Sequence, residues 1–281
     1  MKVLIAGSSG YVGRHVTRFF ISMGAAVYRF QHNFHTKPHG DNWLQGKDEQ
    51  HAHSFDVVIN CARPHWSKYT AEQIVIVEQK LLSTLDQFAK PNAIKLHTSG
   101  IWLFGNATPA QLQRGDLAPI AMVALDKMTI EKALANHWQV VYLPSLVYGG
   151  EHCQLERIIA EKKTSGFHVA LPSTGLNSYV HVEDIAEFYF QLAMQSESQP
   201  FYFIAEPQMY SPFEFAELLQ QFGRIKRINK ISWLDFEVAF GKDALAIEKL
   251  HLAIVPDAKF KPRHCLMHHL STHSLTAEHS Q

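Results

Sequence analysis

Lys2-Val3-Leu4-Ile5-Ala6-Gly7-Ser8-Ser9-Gly10-Tyr11-Val12-Gly13 is the stretch that decides the fold. Residues 2–6 are a short apolar run containing β-branched side chains, which reads as a strand buried on both faces. The Gly7-x-x-Gly10-x-x-Gly13 spacing follows at once. Beyond it Val12, Val16, Phe19, Phe20 and Met23 recur at helical spacing until Gly24 ends the pattern. Strand, glycine turn and helix in that order make a cradle for phosphate. The glycines permit a tight turn and close backbone approach, and the first N–H groups of the helix have no partner within it. Gly7, Ser9, Gly10, Tyr11, Val12 and Gly13 are therefore expected to hold the pyrophosphate of a dinucleotide.

Outward from this turn the chain alternates. Residues 25–30, 55–60, 93–97 and 139–143 read as strands, and 70–89 and 120–136 as helices, the first with Ile74, Val77, Leu81, Leu82 and Leu85 on one face. Such alternation predicts a parallel sheet covered on both sides. After about residue 150 the segments shorten. Helices are expected at 183–195 and 233–251 and a strand at 201–205. Ser211-Pro212-Phe213-Glu214 is a capping box opening a further helix. The expected fold is α/β: a Rossmann-type doubly wound parallel sheet with a smaller C-terminal substrate lobe. Residues 1–150, with 179–205 returning, would form the dinucleotide-binding domain. Residues 151–178 and 206–265 would form the lobe, and 266–281 a polar tail.

Composition narrows the partners. Over 281 residues, 26 Lys and Arg balance 26 Asp and Glu, so no global basic field exists to hold nucleic acid or an anionic membrane. The 18 histidines would carry the net charge toward +18 in acid. Cys61, Cys153 and Cys265 are odd in number and lack CxxC spacing, which suits a reducing compartment. The apolar runs are shorter than the roughly 20 residues of a spanning helix, and the segment before Gly7 is too short for a signal core. A cytoplasmic location is expected. His264, Cys265, His268, His269 and His273 contain x₃ spacings that some zinc sites use. Without an accompanying carboxylate pattern they read as a solvated tail, and no metal is expected.

Several segments, in order, resemble the extended and atypical short-chain dehydrogenase/reductase superfamily, in particular the NAD-dependent epimerase/dehydratase group. They are the glycine turn, Asn60-Cys61-Ala62, Thr98-Ser99-Gly100-Ile101-Trp102-Leu103-Phe104-Gly105, Pro144-Ser145-Leu146-Val147-Tyr148-Gly149, and Tyr179-Val180-His181-Val182-Glu183-Asp184. Together they span residues 1–205. The resemblance implies a catalytic helix with Tyr-x-x-x-Lys. Lys127 and Glu131 match its lysine and the glutamate that often follows, but the tyrosine position holds Val123. Hydride exchange at a carbonyl needs a group to give or take the proton on oxygen. The family's tyrosine does this beside the lysine cation, and valine does not.

By the same resemblance, Ser99, Lys127 and Tyr148 are the catalytic candidates. Lys127 would also bond the nicotinamide ribose, and Cys61, Ala62 and Pro144 would line the cofactor. Arg63, His65, Trp66, Trp102, Tyr148 and His181 are the substrate-facing candidates. At the end of the second strand Gln31 stands about where an acid would select NAD, and no carboxylate is adjacent. Arg29, His32 and Lys37 could accommodate a 2′-phosphate, so NADP is expected over NAD. A small-molecule substrate is the expected partner, and relatives commonly form homodimers through a face that corresponds here to 70–89 and 118–136. Three functions remain open: an oxidoreductase or epimerase-like enzyme with altered proton transfer, a silent dinucleotide-binding sensor, and a non-redox lyase or cyclase.

Overall fold

The computed structural model describes residues 1–31, 42–162, 165–195 and 197–274. Its strands in chain order are β1 (Lys2–Ala6), β2 (Ala26–Phe30), β3 (Trp43–Leu44), β4 (Phe55–Asn60), β5 (Ala89–Gly100), β6 (Gln139–Leu143), β7 (Leu146–Tyr148), β8 (Phe167–Leu171), β9 (Tyr179–His181), β10 (Phe201–Phe203) and β11 (Ile228–Ser232). Its α-helices are α1 (Tyr11–Ser22), α2 (Ala71–Asp86), α3 (Pro109–Arg114), α4 (Asp126–Ala135), α5 (Gln154–Lys162), α6 (Val182–Ala193), α7 (Pro212–Gln221), α8 (Trp233–Phe240), α9 (Lys242–Glu248) and α10 (Leu266–Ser274).

Among the described residues a seven-stranded sheet runs β3-β2-β1-β4-β5-β6-β10. The pairings β1/β2, β1/β4, β2/β3 and β4/β5 are parallel. This is the Rossmann-type order, and the chain reverses its winding between β1 and β4, where folds of this kind bind ligands beyond the strand ends. The continuous apolar runs have their expected cause: Val3, Leu4, Ile5, Val58 and Ile59 are completely buried. Phe20 of α1 meets Phe190 edge-on at 5.3 Å. Among the described residues no helix is long and apolar enough to cross a membrane.

The chain divides into two compact units. The first is Met1–Gly100, Leu125–Tyr142 and Ile185–Tyr202, which hold most of the sheet with α1, α2 and α4. The second is Ile101–Ala124, Leu143–Asp184 and Phe203–Gln281. The expected boundary near 150 thus differs from the observed one: the loop after β5 and the β7/β9 pair belong with the lobe. In the second unit β7 pairs with β9 and β8 with β11, both parallel. Tyr148, Leu155, Tyr179, Leu219, Leu266 and Leu270 share one core cluster there.

Three local departures have simple causes. The stretch expected to be one helix over 233–251 is broken at Gly241, whose φ of +89° ends α8 and opens α9. The tail expected from 266 begins as α10, because Leu266 and Leu270 lie 1% and 0% exposed in the core. Ser211 does form its capping box, and Thr70 forms another that the sequence reading missed. Its hydroxyl accepts Gln73 N–H at 3.3 Å and its own N–H reaches Gln73 Oε1 at 3.0 Å. Thr70→Ala should lower stability by about 1 kcal/mol, measurable as a shift in the urea midpoint with unchanged slope.

Candidate functional site

The first unit places the glycine turn at the end of β1. Gly7 has a φ of +78°, and a Cβ there would stand 2.6 Å from the backbone of Cys61 and Ala62. A Cβ on Gly13 would lie 2.1 Å from the Gly7 carbonyl oxygen, and one on Gly10 would lie 3.2 Å from the same atom. Each glycine therefore lets two backbones touch: Gly7 the loop after β4, and Gly13 the turn against α1. Gly10 caps α1 without a side-chain hydrogen bond, and no acidic residue stands in its first turn. A helix end of this kind favours an anion. Arg14, in that first turn, gives Nη2 to the Ser9 carbonyl at 2.8 Å. Its buried Nε has no hydrogen-bond partner among the described residues. The sequence reading passed over this cation, and the turn and the guanidinium together fit a pyrophosphate.

Two buried polar groups shape the ends of β4 and β5. Asn60 bonds the His97 ring at 3.1 Å, and its Oδ1 accepts Ala62 N–H at 3.0 Å, which fixes the loop that Gly7 packs against. Burial, helped by the Arg63 charge, lowers His97 to about 4. Thr98 shares a hydrogen bond of 2.7 Å with Tyr189 and donates to Cys61 Sγ at 3.3 Å. Burial pushes the Cys61 thiol up to about 12, so it is a packing group rather than a nucleophile. Ser99 next door is half-buried, and its hydroxyl has no partner among the described residues. It is therefore not spent on local backbone.

Lys127 sits in the first turn of α4, partly exposed, with its ammonium 3.8 Å from Glu131. Val123, one turn earlier, is 6% exposed. Asp126 is buried and takes the Arg63 guanidinium at 2.6 Å, with Glu78 of α2 4.0 Å from the same guanidinium. Arg63, expected to face substrate, is exposed, and its guanidinium is shared between the buried Asp126 and Glu78 side chains. His65 and Trp66 are exposed, and His65 Nδ1 bonds Ser67 at 2.6 Å. Arg29 is half-buried with its guanidinium 5.6 Å from the Trp43 ring, while Gln31 is exposed at the end of β2. His32 and Lys37 lie outside the described residues.

The second unit holds two more of the expected site residues, Tyr148 and His181. Tyr148 is completely buried and gives its hydroxyl to Glu206 in a short hydrogen bond. The other Glu206 oxygen accepts Leu266 N–H at 2.9 Å. Burial, reinforced by Glu206, pushes the phenol well above its ordinary range. A phenol so placed is a tether for α10, not an accessible acid. His181 is 7% exposed and stacks on His264 at 3.8 Å, with Asp184 holding His264 Nδ1 at 2.8 Å. A Cβ on Gly149 would meet the His181 ring at 1.8 Å, so the ring fills the space above that glycine. His181 is an interior residue of this unit. Pro144 is buried, and Trp102 is half-buried in a single helical turn over 101–104. His264 and His269 pack into this interior instead of a solvated tail.

A model of the NAD-dependent epimerase/dehydratase family matches residues 3–205. The chain belongs to this family. No curated protein sequence matches it significantly. Among solved structures, human epimerase family protein SDR39U1 with NADPH is 14% identical, with 91% of each chain covered and a TM-score of 0.70. dTDP-glucose 4,6-dehydratase of Bacillus anthracis with NAD is 14% identical, covering 98% of this chain and 96% of the other at a TM-score of 0.71. UDP-glucose 4-epimerase of Thermotoga maritima with UDP-glucose is 17% identical over 98% of each chain at a TM-score of 0.68. These likenesses bear on the fold.

For an epimerase/dehydratase family member, the first unit brings together the glycine turn, the Asn60–Ala62 loop and Ser99 at the sheet's strand ends. The residues that sequence reasoning missed are Arg14, Glu78, Glu206 and the His97–Asn60 pair. Only Arg14 carried a usable signal, a cation directly after the third glycine.

Proposed function

We propose that this chain binds NADP in preference to NAD. It would act as an epimerase/dehydratase-like or reductase-like enzyme on a small or sugar-like carbonyl or alcohol substrate, without a phenol for proton transfer. The observation that carries the reading is the bare N-terminus of α1 behind Gly7, Gly10 and Gly13, with Arg14 beside it. The nicotinamide, when bound, supplies the hydride chemistry. The chain's part is to seat the pyrophosphate on the α1 N–H groups and Arg14, and to hold ribose hydroxyls with Lys127. Ser99 would bond the substrate oxygen and relay its proton to water. His65, Trp66 and Trp102 remain the candidates for contacting substrate. The absence of a carboxylate at the end of β2, with Arg29 close by, supports the 2′-phosphate.

A second reading, a silent dinucleotide-binding sensor, is favoured by one set of observations. Val123 is buried, and Tyr148 and His181 are committed to the interior of their unit. Fluorescence titration with NADPH and NADH, followed by a screen of carbonyl substrates for loss of reduced cofactor, separates the two. Binding with turnover supports the enzyme; binding without any turnover supports the sensor. Lys127→Ala should weaken NADPH binding roughly 10- to 100-fold, the loss of one charged hydrogen bond. Unchanged affinity would remove the ribose role.

We also place the protein in the cytoplasm, since Cys61, Cys153 and Cys265 are all free thiols. A homodimer would use the α2–α4 face, where Ile76 and Met128 are 66% and 54% exposed.

A further inference from the structure

Cys153, Glu156 and His269 take no part in the reading above. Cys153 immediately precedes α5, and its carbonyl accepts Arg157 N–H at 3.2 Å. The Cys-x-x-Glu spacing puts thiol and carboxylate on one side of that first turn. His269 comes from α10. Its Nε2 stands 3.5 Å from Glu156 Oε1, and one potential ligand atom from each of the three residues lies within 4.8 Å of the others. Cys153 and His269 are 7% and 9% exposed, and Glu156 is half-buried. All three belong to the second unit.

We propose that Cys153, Glu156 and His269 bind a zinc ion that pins α10 to the start of α5. A thiolate, an imidazole and a carboxylate are the ligand types that zinc takes, and this mixture suits it better than calcium or magnesium, which require oxygen cages. Atoms bonded to one tetrahedral zinc stand roughly 3.3–3.8 Å apart, and the Nε2–Oε1 separation falls in that range. The surroundings hold each ligand in place, as outer partners of metal sites do. Gly149 N–H donates to Cys153 Sγ at 3.1 Å. Arg224 grips Glu156 Oε2, which turns Oε1 toward His269. The Tyr148 ring lies 5.0 Å from the His269 ring and limits its rotation. Three protein ligands leave a fourth position for water.

The neighbouring group of His181, Glu183 and His264 is a poorer candidate. Imidazole donates its lone pair in the ring plane. The His181 and His264 rings are stacked at 3.8 Å with only 15° between their planes, so their lone pairs run side by side instead of converging on one ion.

The test uses the full chain carrying Cys265→Ser, which removes the exposed thiol, stripped of metal with a chelator. Cobalt(II) is titrated in and zinc(II) is then used to displace it. The expected result is one equivalent of cobalt with a sulfur-to-cobalt charge-transfer band and the visible bands of four-coordinate geometry, both removed by one equivalent of zinc. Cys153→Ser should abolish the charge-transfer band. His269→Gln and Glu156→Gln should each weaken cobalt binding at least roughly 10-fold. Saturating zinc should raise the melting temperature by roughly 5 °C. A folded protein with no charge-transfer band, or a band that survives Cys153→Ser, overturns the proposal. If a variant does not fold, zinc-edge X-ray absorption on the zinc-loaded Cys265→Ser chain decides. One sulfur at about 2.3 Å supports the site, and a shell of nitrogen and oxygen alone overturns it.

Discussion

Gly13→Ala will abolish NADPH binding, with a loss of at least roughly 100-fold in affinity, while Gly10→Ala will lose much less. The reason is distance. The new methyl on residue 13 would stand 2.1 Å from the Gly7 carbonyl oxygen, and backbone rather than a flexible side chain occupies that space. Either α1 moves off the end of β1 or the turn reshapes, and both displace the N–H groups proposed to seat the pyrophosphate. Overpacking of this kind costs roughly 1–3 kcal/mol, so the variant will also melt earlier. At Gly10 the closest approach is 3.2 Å, which a small shift relieves. Gly7→Ala will behave like Gly13→Ala for two reasons. A methyl there would meet the Cys61–Ala62 backbone at 2.6 Å, and its φ of +78° costs an L-residue roughly 1–2 kcal/mol. Affinity unchanged in Gly13→Ala would show that the dinucleotide, if bound, sits elsewhere.

Glu78→Gln will raise stability above pH 7 and leave it nearly unchanged at pH 4.5. Burial raises the Glu78 carboxyl to about 7 from 4.5, with the Asp126 charge adding to the rise and Arg63 opposing it. A raised folded-state pKa means the stabilising contribution is complete below pH 4.5 and disappears as pH climbs through 7. The span is on the order of 3 kcal/mol. His97 has the opposite sign. Its pKa falls from 6.5 to about 4, so its contribution is complete above pH 6.5 and is lost as pH drops through 4. The two slopes oppose each other between pH 4.5 and 6.5, and the unaltered protein should be nearly flat there as far as these two groups go. Glu78→Gln unmasks the His97 slope, giving a steep gain in stability from pH 4 to 6.5. Denaturant melts across pH 4 to 9 read this directly. A loss of stability in Glu78→Gln that is equal at pH 5 and pH 8 would mean that the Arg63 pair outweighs the burial of the carboxylate.

Both results depend on features of unequal legibility. The β1–turn–α1 unit was plain in the sequence because its signals are local: an apolar run, three glycines at fixed spacing and a helical stripe within 24 residues. The same holds for β4, β6 and the capping box at Ser211. The Glu78–Arg63–Asp126 group was not legible, because a carboxylate on α2 and one on α4 meet only after the helices pack. The burial of Tyr148 and His181 was not legible for a related reason. Their segments match the family pattern, but three-residue strands such as β7 and β9 carry no periodicity to say which side faces inward. Glu206, which takes the Tyr148 hydroxyl, lies 58 residues away in the chain. The histidines past Pro262 looked solvated by composition. Leu266 and Leu270, four apart among them, were the missed sign of a helix with a buried face. Ser99 is the converse case, a hydroxyl whose lack of a partner among the described residues becomes visible only in the fold.

The proposal for function stands on an anion seat built from backbone, and calorimetric titration of NADPH into the unaltered protein tests that seat most directly. One saturable site per chain is predicted, with NADH binding more weakly and Gly13→Ala giving no measurable heat of binding. A flat titration with both NADPH and NADH, on protein shown to be folded, would contradict the account.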